Sequence, residues 1–285
     1  MSRTRQSSEP GFASSCGRLT VKTAREHSGR KGVSAVRLLV AGDTHGNLDH
    51  AAYLAHEAQR LGCDAIFQVG DWGYTWPETN LLSPLTKLLR RAGVPMYFID
   101  GNHENFPDLA HRGLLRATAI TPLVSAAEEP VVFYVPRGHL WVWEGTRFMA
   151  MGGAVSIDQA SRVEGVSWWR DEAITQADLD RAARNLAASP GPVDVFISHD
   201  APSGISYIEN WVGMPMDAVS LLSRGNREAL RTAVEAARPA LLLHGHYHVA
   251  YHDELALSDG TVVQVRGLDS DQGQRTYMVL DLPLG

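Results

Sequence analysis

Short apolar runs recur along the chain, and most are cut off by glycine next to a polar residue. Residues 36–41, 64–69, 94–99, 193–198 and 240–243 each have the length and content of a buried strand. Between them lie stretches with helical spacing. Leu48, Ala51, Ala52, Leu54 and Ala55 mark one apolar face that Gly62 ends, and residues 81–92, 175–188 and 227–237 show the same period. Strands alternating with helices predict βαβ units. From residue 131 the pattern changes to 131–135, 139–143 and 147–151, separated by Gly- or Pro-containing turns, which predicts antiparallel hairpins. Further strand-like runs near 249–255, 261–265 and 276–280 finish the chain.

The residues just past these runs carry the chemistry. Residues 42–47 read Gly-Asp-Thr-His-Gly-Asn, and if that stretch stays extended, Asp43 and His45 leave the same side of the chain and could grip one ion. A polar turn with Asn47 or Asp49 as helix N-cap would look similar. What separates the two readings is that four more strand ends behave alike: Asp71, then Asn102 and His103, then His199, then His246 and His248. Ligands gather beyond the carboxyl ends of strands in open α/β sheets. Asp, Asn and His suit Mn, Fe, Zn, Ni or Co rather than a thiolate site. Seven such ligands, with His103 set aside, exceed the need of one ion, so two adjacent ions are expected, with Asp71 as the best candidate for a bridging carboxylate.

Composition narrows the setting. The chain has 285 residues, 44% of them hydrophobic, enough for one large core. Its net charge of −6 argues against an extended nucleic-acid footprint. Two cysteines, Cys16 and Cys63, are too few for a disulfide framework, and no apolar run approaches a membrane span. These point to a cytoplasmic protein. The first 35 residues hold seven Lys or Arg against two acids, a net +5 that leaves −11 on the remainder. They read as a disordered basic extension, with a targeting peptide or an overlong translational start as alternatives, and residues 36–285 as a single catalytic domain.

In order, Gly42-Asp43-Thr44-His45, Gly70-Asp71, Gly101-Asn102-His103-Glu104, Ser198-His199 and Gly245-His246-Tyr247-His248 resemble the motifs of the calcineurin-like metallophosphoesterase superfamily, over about residues 36–281. The resemblance implies an α/β fold, a four-layer α/β/β/α sandwich of two mixed sheets with the metal site at strand carboxyl ends. It implies that Asp43, His45, Asp71 and His248 hold one metal, and Asp71, Asn102, His199 and His246 the second. It further implies two divalent or trivalent ions, Mn2+ or alternatively Fe, Zn, Ni or Co. In the implied mechanism a metal-bridging hydroxide attacks phosphorus in line, and His103 stabilises the transition state or protonates the leaving oxygen. One departure matters. Related protein phosphatases carry an Asp-Arg pair soon after the second motif, whereas here Trp72-Gly73-Tyr74-Thr75-Trp76 follows, so the expected support of His103 is missing.

Several residues have two readings. Trp72, Tyr74 and Trp76 either wall the pocket and stack a nucleobase or cover the sheet edge. In the loop 152–170, Arg162 is a candidate phosphate or ribose contact, or else an ordinary solvated arginine. Of the adjacent Trp168 and Trp169, which should diverge, at most one, Trp168, is expected to reach substrate while the other packs. Trp141 and Trp143 read as core, His50, His56, His111 and His252 as surface or satisfied histidines, and His244 as a residue that orients a ligand or a carbonyl. The expected activity is hydrolysis of a small nucleotide-type phosphodiester, such as a cyclic nucleotide or nucleotide end, since aromatics outnumber obvious phosphate-binding arginines near the motifs. Phosphomonoesterase or Ser/Thr protein phosphatase activity is the alternative, and a non-catalytic binding scaffold on the same fold is a third reading.

Overall fold

Leu38 and Val40 leave one face of the first strand and Leu39 and Ala41 the other, and all four are fully buried. A strand apolar on both faces belongs between two layers, and the rest of the chain supplies them. The computed structural model describes residues 36–76, 81–123, 129–210 and 218–283. The basic extension expected at residues 1–35 lies outside them.

The strands are β1 (Val36–Ala41), β2 (Ala65–Gln68), β3 (Met96–Phe98), β4 (Thr121–Pro122), β5 (Val132–Tyr134), β6 (Leu140–Trp143), β7 (Thr146–Met151), β8 (Val195–Ser198), β9 (Leu241–His244), β10 (Tyr251–Ala256), β11 (Val262–Gly267) and β12 (Tyr277–Leu282). One six-stranded sheet runs β12-β1-β2-β3-β5-β4, the other β10-β11-β9-β8-β7-β6. Both are mixed: β1, β2, β3 and β5 are parallel, as are β7, β8, β9 and β11, and antiparallel strands close each edge.

Three apolar clusters separate four layers. Between the sheets lie Leu38, Val40 and Phe67 from one and Trp141, Trp143, Phe148 and Ile197 from the other. On the outer face of the first sheet, Leu39, Ile66 and Phe98 meet α1 (Leu48–Leu61), α2 (Leu82–Ala92) and α3 (Phe106–His111). On the second, Met149, Phe196 and Leu242 join a cluster with Ala182 of α4 (Gln176–Ala188), Ile208 of α5 (Ser206–Glu209) and Leu230 and Val234 of α6 (Ala218–Ala237). The expected α/β/β/α sandwich of two mixed sheets is the fold found.

Local chemistry sets the ends. Asn47 caps α1 by accepting from the Asp49 and His50 amides, and Gly62 ends it in the left-handed conformation. Thr175 and Asp178 form a capping box at α4. The structure also shows α3, α5 and β4, which the sequence pattern did not predict, and α6 begins at residue 218 rather than 227.

Candidate metal centre

The parallel strands β1, β2, β3, β8 and β9 all deliver their carboxyl ends to one edge of the sandwich, and every expected ligand follows one of them. The ligand atoms of Asp43, His45, Asp71 and His248 lie within 4.8 Å of one another, as do those of Asp71, His199 and His246. Asp71 belongs to both groups. Asn102 joins the second, with its Oδ1 3.1 Å from His199 Nε2. Between the sets, His45 Nε2 lies 3.6 Å from one oxygen of Asp71 and His199 Nε2 3.3 Å from the other.

The loops that do this are tightly folded and partly strained. Among the described residues six non-glycine residues have positive φ, and four of them are His45, Asp71, His246 and His248. Such conformations cost on the order of 1–3 kcal/mol each and persist where the surroundings impose them. This corrects the extended-chain argument. His45 shares a site with Asp43 although its backbone turns left-handed at φ +47°. Two motif glycines are required by close approach: a Cβ on Gly70 would strike the His199 ring, and one on Gly101 would strike Asp71.

Hydrogen bonds fix the ligands. His199 Nδ1 lies 2.9 Å from the Val69 carbonyl, which can only accept, so that nitrogen carries the proton and Nε2 turns toward Asp71 and Asn102. His45 Nδ1 lies 3.1 Å from Asp271 Oδ1, whose other oxygen accepts from Asn47 Nδ2 at 2.8 Å. Asp43 accepts from the His246 amide, and Asp71 from the His103 amide at 2.7 Å. Buried Glu104 gathers the amides of Trp72, Gly73 and Gly101, tying two ligand loops together. Burial, reinforced by nearby Asp71, raises its pKa to about 8.

The donor set fits metal ions. Asp71 Oδ1, Asn102 Oδ1 and His199 Nε2 converge, and with the His199 proton on Nδ1 none of the three donates to another. They call for an extra proton or a cation. Burial disfavours a charged His199 or His45, but Asp71 overrides it in both, raising His199 to about 10 and His45 to about 9. The negative field that pulls protons onto these rings is the field that would hold metal ions.

Beside this cluster, His103 Nε2 lies 3.3 Å from a guanidinium nitrogen of Arg162. Arg162 is held from behind by Asp158 at 2.7 Å and by the Ser167 carbonyl at 3.0 Å. Arginine can only donate, so the His103 Nε2 facing it is unprotonated. Burial and this cation both lower the His103 pKa, against Asp71.

The aromatic candidates divide. Trp72 and Tyr74 are fully buried, which removes them from any substrate contact. The hydrogen bonds from the Trp72 and Gly73 amides to Glu104 turn the loop inward, so Trp72 stacks on Phe98 at 4.2 Å and Tyr74 donates to the Asn47 carbonyl. Trp169 packs on Trp76 and Phe106, while Trp168 lines a cavity of about 400 Å³ with Gln159, Arg170 and Leu222. Trp141 and Trp143 are core. His50, expected at the surface or satisfied, is buried beside Tyr53 with Nε2 unpartnered, and burial lowers its pKa. Sequence reasoning missed Asp271, Asp158, Ser156 and Glu172, which lie outside the five strand-end motifs.

A four-layer sandwich with shared His/Asp clusters along one strand edge defines a metal-dependent phosphoesterase. The chain belongs to the calcineurin-like phosphoesterase family, whose model matches residues 36–250. A search of curated protein sequences finds no match. Among solved structures, the chain is similar to the protein TT1561 of Thermus thermophilus, with 14% identity, a TM-score of 0.53, and 87% of this chain and 99% of that one covered. It is also similar to a dimetal phosphatase from Danio rerio, with 12% identity, a TM-score of 0.51, and 86% of this chain and 91% of that one covered. At these identities the likeness is one of fold. No helix among the described residues is long and apolar enough to cross a membrane.

Proposed function

We propose that residues 36–285 act as one catalytic domain that hydrolyses small phosphodiesters, nucleotide-type ones included, with two metal ions. Asp43, His45, Asp71 and His248 would hold one ion, and Asp71, Asn102, His199 and His246 the other. When bound, the two ions neutralise the phosphoryl oxygens and acidify the attacking water. Mn2+ is the first choice among ions that this donor set accepts. The observation that carries the reading is Asp71, shared by two ligand groups, with His103 and Arg162 beside it.

The chain's own groups divide the remaining work. Arg162 binds a phosphoryl oxygen and, through the hydrogen bond to Nε2, orients the His103 ring. His103 stabilises the charge that develops at the leaving oxygen. Trp168, in the wall of the neighbouring cavity, offers an aromatic face for a leaving group such as a nucleoside. A single guanidinium beside His103 suits the one negative charge of a diester. With Trp72 and Tyr74 in the core, the case for a nucleobase now rests on Trp168.

A second reading, phosphomonoesterase or protein phosphatase, draws support from the same arginine. The guanidinium absent after the second motif is supplied by Arg162 from a different loop. Protein of measured Mn2+ content, assayed against bis-p-nitrophenyl phosphate, p-nitrophenyl phosphate and 2′,3′-cyclic nucleotides, separates the two. Diesters should turn over faster. Strong monoester hydrolysis with no diester hydrolysis would reverse the assignment.

A further inference from the structure

Asn102 differs from the other ligands in having two chemically opposite ends, and only its carbonyl oxygen can bind a cation. Whether it presents Oδ1 or Nδ2 depends on what the rest of the amide meets. Asn102 Nδ2 lies 3.1 Å from Ser156 Oγ, and Ser156 Oγ lies 2.7 Å from Glu172 Oε2. Glu172 Oε1 is already committed, accepting from the Ser156 amide at 2.8 Å and from Gln159 Nε2 at 3.0 Å. Ser156 and Glu172 are each 1% exposed, and neither is a metal ligand.

We infer that Glu172 and Ser156 are positioning residues that orient Asn102 and thereby complete the second metal site. The logic is directional. The ionised Glu172 carboxylate only accepts, and its partners among the described residues are the Ser156 amide, Gln159 Nε2 and the Ser156 hydroxyl, so that hydroxyl spends its proton on Oε2. Its lone pairs are then left for the Asn102 NH2 group, which fixes Oδ1 toward His199 and Asp71. Reversing the first bond reverses the last. In Glu172→Gln, the two donors at Oε1 select the amide oxygen there and place its NH2 against Ser156 Oγ. The serine proton is then driven toward Asn102, and the amide turns its nitrogen to the ion. Supporting groups around metal ligands typically contribute about 10- to 100-fold in affinity.

This inference rests on the dinuclear reading and is tested by binding rather than turnover. Metal-free wild-type, Ser156→Ala, Glu172→Gln and Ser156→Thr proteins are titrated with Mn2+ by calorimetry, and with Co2+ by its electronic spectrum. Wild type should take up two ions. Ser156→Ala and Glu172→Gln should bind one ion within about threefold of wild type and the other about 10- to 100-fold more weakly, with a changed spectrum for the second Co2+. Ser156→Thr keeps the hydroxyl and should restore wild-type behaviour, which a loss through misfolding would not. The inference is overturned if both variants bind two ions as wild type does, or if both sites weaken equally. Wild type that binds fewer than two ions would instead overturn the dinuclear reading, and this inference with it.

Discussion

Arg162 reaches His103 across 59 positions of sequence, its NH2 group 3.3 Å from the ring Nε2. The contact gives the histidine a cationic neighbour that the second motif lacks, and it pushes the ring toward its neutral form. Removing the guanidinium should therefore do two things. A charge-assisted hydrogen bond contributes about 1.5–3 kcal/mol, so Arg162→Ala should lower kcat/KM by about 10- to 100-fold. With the repelling charge gone, the His103 ionisation should move to higher pH in the pH–rate profile. Arg162→Lys should recover little, because a lysine cannot span His103, Asp158 and the Ser167 carbonyl at once. An unshifted pH profile in Arg162→Ala would show that the contact has no electrostatic consequence.

Asp271 touches His45 and Asn47 from a loop more than 220 residues away in sequence. A carboxylate on the far nitrogen of a ligating imidazole fixes its tautomer and orientation. Asp271→Asn should weaken the ion held by His45 by about 10- to 100-fold while sparing the ion held by His199. Mn2+ titration of the purified variant reads this directly. Equal weakening of both sites would point to loss of the loop rather than of one support.

The difference between Arg162 and Asp271 shows what sequence could reveal. Asp43, His45, Asp71, Asn102, His199, His246 and His248 are legible because each sits just past a strand, where topology forces convergence. Asp271, Ser156 and Glu172 lie outside the strand-end motifs, Glu172 in a short 3-10 turn and the others in loops, and only the folded path brings them to the ligands. Trp72 and Tyr74 misled for a related reason. A loop has no period, so the side on which an aromatic falls is decided by contacts such as those of Glu104. The first turns of α6 were hidden by Ser223, Gly225 and Asn226, poor helix formers that tertiary contacts override. Ser223 and Asn226 are buried, and Asn226 binds Asp200 and the Ile174 amide.

Trp72 and Trp168 should separate cleanly on mutation. Trp72 is fully buried and stacked on Phe98, so Trp72→Ala should cost about 3–5 kcal/mol of stability. Trp168 is half-buried at a cavity wall. Trp168→Ala should leave chemical denaturation nearly unchanged and raise KM for nucleotide substrates more than for bis-p-nitrophenyl phosphate. Equal KM effects on both would remove the nucleobase from the substrate reading.

His244 carries a pH dependence of its own. Its Nδ1 faces the Gly245 carbonyl and its Nε2 the Tyr251 hydroxyl, a pairing that holds the neutral ring, and burial lowers its pKa to about 4. An unfolded histidine titrates near 6.5. Between those values the unfolded chain binds a proton that the folded chain refuses, so stability falls as pH drops from about 6.5 toward 4. The loss between pH 7 and pH 5 is about 2 kcal/mol. His244→Gln lacks this titration. The stability gap between wild type and variant, measured on metal-free protein by urea unfolding, should narrow by about that amount. A gap independent of pH would show that His244 does not titrate on unfolding.

Asp71 and His103 test the whole reading when altered separately. Asp71 is the carboxylate common to both ligand groups, and its backbone is held at φ +54° where Gly101 could bear no side chain. Asp71→Asn keeps the shape and removes the charge, so it should weaken both ions together and abolish Mn2+-dependent turnover. His103 is absent from both ligand groups, although its amide binds Asp71. His103→Ala leaves that amide in place, so it should retain two ions and lose about 100-fold or more in kcat, within the range for a positioned acid–base group. Metal content by mass spectrometry, set beside turnover of bis-p-nitrophenyl phosphate, resolves the pair. If neither change lowered Mn2+-dependent turnover, the activity would not arise at this centre and the catalytic reading would fail. If His103→Ala lost its ions as well, the histidine would be holding the centre together rather than acting on the substrate.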